Sequence, residues 1–292
     1  MSECGIEQFG IHFGHIGIHV EDADKSVEWY GKVLGLKPMP RRSNYKQGPF
    51  PRVGKVGQDD YQIEIYEVQG ALDNNFFYYE FFEGVKHFGV RINHFREWLE
   101  YIKKLNVTIL FESYESGIGK VIITDLDHIL IECVQNAGFD DCETVSSSPE
   151  TIDDVIKFGI RFDHVAMNVS DLEETAKWYE AYYGLEKVGE PVCRHPGEEP
   201  VHQLMYIKED DIYLKLYEVI GAQKFNTVEM EFVKGFKHFD FAIEKRGDWI
   251  RYIKENLDPH IEVEIYNEKG GAVYLRDNNN ILVESNRWSL LY

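Results

Sequence analysis

Cysteine is scarce: four in 292 residues (Cys4, Cys133, Cys142 and Cys193), none in C-x-x-C spacing. That argues against a disulfide framework or a cysteine zinc cluster and predicts free thiols in a reducing, cytoplasmic setting. Long apolar runs are also missing, and none approaches the ~18 residues that a membrane span needs. The start, "MSECGIEQFG", has neither a basic n-region nor an apolar h-region, so no secretory signal is expected. Basic residues are outnumbered, 31 against 51 acidic ones, for a net charge of −20. A surface this acidic repels phosphate backbones, which argues against nucleic acid as a partner.

One stretch runs against that trend. Between Lys37 and Gln58, Lys37, Arg41, Arg42, Lys46, Arg52 and Lys55 occur with no acid among them. They form either a solvated loop balancing acidic neighbours or a local site for the carboxylate or phosphate of a small substrate. The rest of the composition, 43% hydrophobic and 28% charged, is that of a soluble globular chain long enough for two domains.

The sequence repeats itself. "FGHIGIHVEDADKSVEWYGKVLGL" (13–36) matches "FDHVAMNVSDLEETAKWYEAYYGL" (162–185), His15 falling on His164 and Trp29 on Trp178. "YEVQGA" then matches "YEVIGA", and "GVKHFGVRI" matches "GFKHFDFAI". Each half is doubled again: "HIGIHV" at 15 resembles "HFGVRI" at 87, and "HVAMNV" at 164 resembles "HFDFAI" at 238. Trp29, Trp98, Trp178 and Trp249 mark four helices and are expected in the core. Asp22 and Asp171 suit N-caps, and Gly35 and Gly184 suit C-terminal stops.

Each unit therefore reads as strand, helix and about three strands. The expected class is α+β, with four βαβββ modules paired into two domains. The first domain is placed at 1–136 (modules about 10–83 and 84–136), the linker at 137–157, and the second domain at 158–292 (modules about 158–234 and 235–292). Each domain is expected to curve its own mixed sheet around a metal-binding cleft, with helices outside.

Strand side chains alternate between faces. In β-like "HIGIHV", Ile16, Ile18 and Val20 pack, leaving His15, Gly17 and His19 on the other face. By the same rule Gln62, Glu64 and Tyr66 share a polar face, as do His87, Gly89 and Arg91, and Glu132 leaves the apolar face of its strand. Each unit thus offers a histidine on its first strand and a glutamate on its last. Pairing the first two units brings His15, Glu64, His87 and Glu132 together. Two imidazoles and two carboxylates suit one divalent cation, whether Fe, Mn, Co, Ni or Zn. In the second half His164, His238 and Glu284 hold equivalent places, and a second metal there is a further option. Lys215 stands where Glu64 stands in the first half, so its ammonium is an alternative to that metal.

These residues resemble the vicinal oxygen chelate superfamily: glyoxalase, methylmalonyl-CoA epimerase, fosfomycin-resistance proteins, bleomycin-binding proteins and extradiol dioxygenases. The carrying motifs are the two long repeats above together with "TDLDHILIE" and "RDNNNILVE", similar to the family's D-P-x-G-x-x-x-E strand with Leu126, His128, Asn278 and Asn280 at its Pro and Gly places. The resemblance implies a glyoxalase- or epimerase-type lyase or isomerase that stabilises an enediolate or enolate of a small, anionic substrate with vicinal oxygens. Glu64 or Glu132 would be the base. Arg91, His19, Tyr66, Arg41 and Arg42 would hold the substrate. It also implies two alternatives: an extradiol dioxygenase centred on His164, His238 and Glu284, or a non-catalytic resistance-type binding protein. Assembly into a homo-oligomer is left open.

Overall fold

The computed structural model describes residues 6–40, 52–58, 61–72, 82–115, 117–137, 145–193, 203–209, 212–219, 221–223, 233–261, 264–266 and 272–287. Four modules follow in chain order. The first holds β1 (Ile11–Val20), α1 (Ala23–Leu34), β2 (Lys37–Pro38), β3 (Val53–Gln58) and β4 (Tyr61–Glu67). The second holds β5 (Gly84–Ile92), α2 (Phe95–Lys104), β6 (Ile109–Glu115), β7 (Ile118–Thr124) and β8 (Leu130–Gln135). Within the expected linker lies a short helix, α3 (Ile152–Ile156). The third module holds β9 (Ile160–Val169), α4 (Leu172–Tyr183), β10 (Glu186–Cys193), β11 (Gln203–Glu209) and β12 (Ile212–Glu218). The fourth holds β13 (Gly235–Ile243), α5 (Arg246–Asn256), β14 (Glu264–Tyr266), β15 (Ala272–Arg276) and β16 (Leu282–Arg287). No described helix is long and apolar enough to cross a membrane.

Local sequence explains the elements. The Asp22 side chain accepts from the backbone N–H groups of Asp24 and Lys25, and Gly35 stops α1 in the left-handed region at φ 69°. Asp171 and Gly184 do the same for α4. Trp98 and Trp249 are fully buried and donate to the carbonyls of Val33 and Tyr182. These bonds tie α2 to α1 and α5 to α4, so the helix layer packs within each half. Trp29 and Trp178 are only partly buried, contrary to expectation, because they sit at the margin of that helix layer.

The sheets cross between halves, and this corrects the expected pairing. One eight-stranded sheet runs β14-β15-β16-β13-β1-β4-β3-β2, and the other runs β10-β11-β12-β9-β5-β8-β7-β6. The first module therefore shares a sheet with the fourth, and the second with the third. The joints are antiparallel, β1 with β13 and β5 with β9. β4 takes one edge of β1 and β8 one edge of β5, and the edge each leaves open is filled by a first strand of the other half. Each sheet is mixed, and its apolar face is covered by the helices, with Ile16, Ile18, Phe88, Val90, Val165, Phe239 and Phe241 almost wholly buried.

The turns between β7 and β8 and between β15 and β16 are built alike. Asp125 accepts from the N–H groups of Asp127 and Ile129 and from the Tyr30 hydroxyl at 2.8 Å. Asp277 likewise binds Asn279, Ile281 and Tyr179. His128 and Asn280 take the positive φ (64° and 62°) that the motif's glycine would otherwise supply. Burial pushes the Asp125 carboxyl up to about 7 and that of Asp277 up to about 6. A carboxyl raised in this way keeps a proton in the folded chain that the unfolded chain has released. Its contribution to stability therefore falls as pH rises from about 4 to about 7. In urea unfolding, Asp125→Asn, which keeps an acceptor for both N–H groups, gains on the wild type as pH rises across that window. An unchanged difference would mean that Asp125 is ionised in the fold.

Candidate metal centre and its degenerate twin

The crossed sheets regroup the residues expected at the site. His15 and Glu64 meet His238 and Glu284 of the other half. His87 and Glu132 meet His164 and Lys215. The set His15, Glu64, His87 and Glu132 is therefore not assembled, nor is the set His164, His238 and Glu284. Each splits because its histidine-bearing first strands join different sheets.

At the β1–β13 site, three ligand atoms converge. Glu284 Oε2 lies 2.8 Å from His238 Nε2 and 3.1 Å from His15 Nε2, and the two Nε2 atoms are 3.3 Å apart. Glu64 Oε2 stands farther off, 3.8 Å from His15 Nε2. Glu284 Oε2 is buried and makes no hydrogen bond of good geometry. Around it each ligand is oriented. The Asp240 carboxylate sits 3.3 Å from His15 Nδ1, Asn286 Nδ2 donates to Glu284 Oε1 at 2.8 Å, and the Tyr66 hydroxyl donates to Glu64 Oε2 at 2.6 Å. Lys55 lies 3.4 Å from Glu64 Oε1. Gly17 faces His238 across the joint, and a Cβ there would come within 2.1 Å of the ring.

The electrostatics call for a cation. Among the described residues, Glu64, Glu284 and Asp240 outnumber the cations near them, Lys55 and Arg246, and all but Glu64 and Lys55 are almost wholly buried. Burial opposes a charge on His15, but Glu64, Asp240 and Glu284 overcome it and hold the imidazole well above its usual range. Burial would raise Glu284, yet His238 and His15 hold it below the carboxylate range. A proton on His15 does by itself what a divalent ion would do for the whole cluster. The spacing suits such an ion. Bonds of about 2.1 Å set neighbouring ligands roughly 3 Å apart in an octahedron and about 3.4 Å apart in a tetrahedron, and the three observed separations span 2.8 to 3.3 Å.

The β5–β9 site is similar in outline and different in charge. His87, His164 and Glu132 come together, but Glu132 is held at both oxygens, by Lys215 at 2.6 Å and Lys120 at 2.8 Å. The imidazoles stand off, His87 Nε2 at 3.7 Å from one oxygen and His164 Nε2 at 3.8 Å from the other. Burial drops His87 to about 3 and lowers His164, so both rings are neutral. Burial works against ionised Glu132, but His87, Lys215, His164 and Lys120 hold it well below the usual range. Two ammonium groups already neutralise the carboxylate, and this site does not fit a divalent ion. Glu132 is thus neither a ligand of the first cluster nor a base beside Glu64.

The expected substrate contacts also divide. Tyr66 borders the β1–β13 site and meets the His19 ring edge-on, with ring centroids 5.8 Å apart. Arg91 pairs with Asp163, so it borders the β5–β9 site. Arg41 and Arg42 lie outside the described residues. Of the other basic residues between 37 and 58, Lys37 pairs with Asp153 and Arg52 with Asp24. Lys55, expected in a basic cluster for a substrate anion, instead pairs with Glu64, and Asp240, Asp163, Asn286 and Lys120 were not anticipated. Asp240 and Asn286 carry a signal, falling two residues after His238 and Glu284 on the same strand faces, and Asp163 directly precedes His164.

Comparison with known proteins agrees with this architecture. Residues 12–133 match the family model of the Glyoxalase/Bleomycin resistance protein/Dioxygenase superfamily. No curated protein matches. Among solved structures, glyoxalase I from Zea mays is similar at 14% identity and TM-score 0.68, covering 97% of this chain and 94% of that one. A putative dioxygenase from Bacillus subtilis subsp. subtilis str. 168 is similar at 18% identity and TM-score 0.60, covering 95% and 84%. At these identities the likeness concerns the fold. The family match thus covers the first two modules, and the likeness to the solved structures carries the same fold through all four.

Proposed function

We propose that this chain is a divalent-metal-dependent lyase or isomerase of glyoxalase or epimerase type, with one working centre at the β1–β13 joint. The observation that carries the reading is the convergence of His15 Nε2, His238 Nε2 and Glu284 Oε2 within 3.3 Å of one another. His15, His238 and Glu284 would hold the ion, and Glu64 would complete the set. A divalent ion there supplies Lewis acidity, which acidifies a C–H beside a carbonyl of a substrate with two vicinal oxygens.

The protein's own groups do the rest. Glu64 is the ligand standing farthest off and the most exposed of the four, its side chain 14% accessible. Its two oxygens are steered by Tyr66 and Lys55. It is placed to take a proton from carbon and return it, while Glu284, fixed by Asn286, stays a ligand. Asp240, 3.3 Å from His15 Nδ1, would steady the ring from the side away from the ligands.

Metal analysis tests this. The wild type binds one equivalent per chain, Glu284→Gln loses it, and Glu132→Gln keeps it. Exchange of the carbon-bound hydrogens of hydroxyacetone for solvent deuterium falls about 10²-fold or more in Glu64→Gln. Retention of metal by Glu284→Gln, or its loss from Glu132→Gln, would reject the assignment. A second reading has one observation in its favour: the three closest ligands are two histidines and one carboxylate, the set used by iron oxygenases. Oxygen uptake with catechol on the Fe(II)-loaded protein would replace the first reading with this one.

A further inference from the structure

The β5–β9 site keeps the strands, the histidines and the glutamate of a metal centre but carries lysines where charge has to be balanced. We propose that it is a metal-free binding site for a small 2-hydroxycarboxylate. Lys215 and Lys120 would receive the carboxylate, and His164 Nε2 would accept from the hydroxyl.

Three observations support this. The first is charge. Lys215, Lys120 and Arg91 face Glu132 and Asp163, and both histidines are neutral, leaving one positive charge in excess. The β1–β13 cluster sets three carboxylates, Glu64, Glu284 and Asp240, against Lys55 and Arg246, one negative charge in excess before any proton on His15. A monoanion therefore suits this site as a divalent cation suits the other.

The second is donor capacity. An ammonium has three N–H groups. Lys215 gives one to Glu132 Oε1 and Lys120 one to Glu132 Oε2, which leaves donors on both. Their side chains are 12% and 28% accessible, so the site is reachable from solvent.

The third is an acceptor with nothing to accept. His164 is wholly buried, and its Nδ1 lies 2.7 Å from Asp163 Oδ2. Asp163, held also by Arg91, fixes the proton on Nδ1 and leaves a bare lone pair on Nε2. That atom has no hydrogen-bond partner, and its nearest charged neighbour, Glu132 Oε1, is itself an acceptor. A carboxylate alone would leave this lone pair unmet. A hydroxyl on the adjacent carbon supplies the missing donor, and a buried acceptor left unpaired is costly. Gly89 supports the ring position, since a Cβ there would come within 1.9 Å of His164.

Glycolate and acetate are the probes, titrated into the metal-loaded protein with ¹⁵N-histidine NMR and calorimetry. Glycolate is expected to shift the His164 Nε2 resonance and to bind at least 10-fold more tightly than acetate. Lys215→Met and Lys120→Met are each expected to weaken glycolate about 10-fold or more. If the lysine variants unfold, the wild-type His164 resonance decides alone. Glycolate chelating the metal would instead perturb His15 and His238 and be indifferent to the lysines, so the two sites are read separately. A His164 resonance unmoved by glycolate, or acetate binding as tightly, would overturn the proposal.

Discussion

Gly17→Ala empties the metal centre. The added methyl would lie 2.1 Å from His238 Cε1 and 2.4 Å from its Nε2, where real contacts of this kind stay beyond about 3 Å. Gly17 lies within β1, paired to β4 on one side and β13 on the other, so its backbone cannot yield without opening the sheet. The His238 ring must move by most of an ångström, taking one of three close ligands out of range. Metal content should fall from one per chain to nearly none. Turnover should drop about 10²-fold or more, the usual penalty for a misplacement of that size. Gly89→Ala is the matched control. It sets the same clash on His164, 1.9 Å from Cε1, in the β5–β9 site. Its cost in stability should be similar, yet metal content should stay at one. Atomic absorption on the two purified variants checks this, and metal lost from Gly89→Ala but kept by Gly17→Ala would reverse the assignment of the sites.

Lys215→Glu creates a second metal centre. Lys215 pairs in register with Ala166 on β9, as Glu64 pairs with Gly17 on β1, so a glutamate at 215 enters the place of the fourth ligand. The site would then hold His87, Glu132, His164 and a new carboxylate. Removing one ammonium and adding one carboxylate changes the local charge by two, which is the charge of the ion expected to enter. Metal content should rise from one toward two equivalents. Lys120 would still hold Glu132 Oε2, so combining the change with Lys120→Met should tighten the second equivalent further. A folded double variant that stays at one equivalent would show that more than charge distinguishes the two joints.

Most of the architecture was legible in the residues because the sequence states it four times. The recurrence of His15, His87, His164 and His238 at the heads of alternating runs gave the first strands, and the alternation gave the polar face on which every proposed ligand lies. The partner of each module was not legible. β1 presents the same free edge and the same histidine whether β5 or β13 lies beside it, and no local pattern distinguishes the two. The signal that bears on it is a long-range charge exchange. Lys215 lacks a purpose among His164, His238 and Glu284, but it has one beside Glu132, 2.6 Å away. Asp163 and Asp240, which orient the histidines, went unread. Asp240 gains its role from His15, a ring placed by another strand, whereas Asp163 stands directly before His164 on β9 and its contact was readable in principle.

The crossed sheets set an order of events at the ribosome. β4 is finished at Glu67 and can pair with β1, but the other edge of β1 stays open until β13 has emerged, and that sheet is not complete until Arg287. At about 5–20 residues per second the opening segment waits roughly 10 to 45 s. The middle modules, contiguous in the chain, can close their own sheet well before then. During the delay β1 carries an unfilled row of amide groups beside β5, whose edge offers a similar histidine-headed strand. Repetition of the module, which put both joints on one polypeptide, has therefore also created an internal rival for the joint that carries the proposed metal centre.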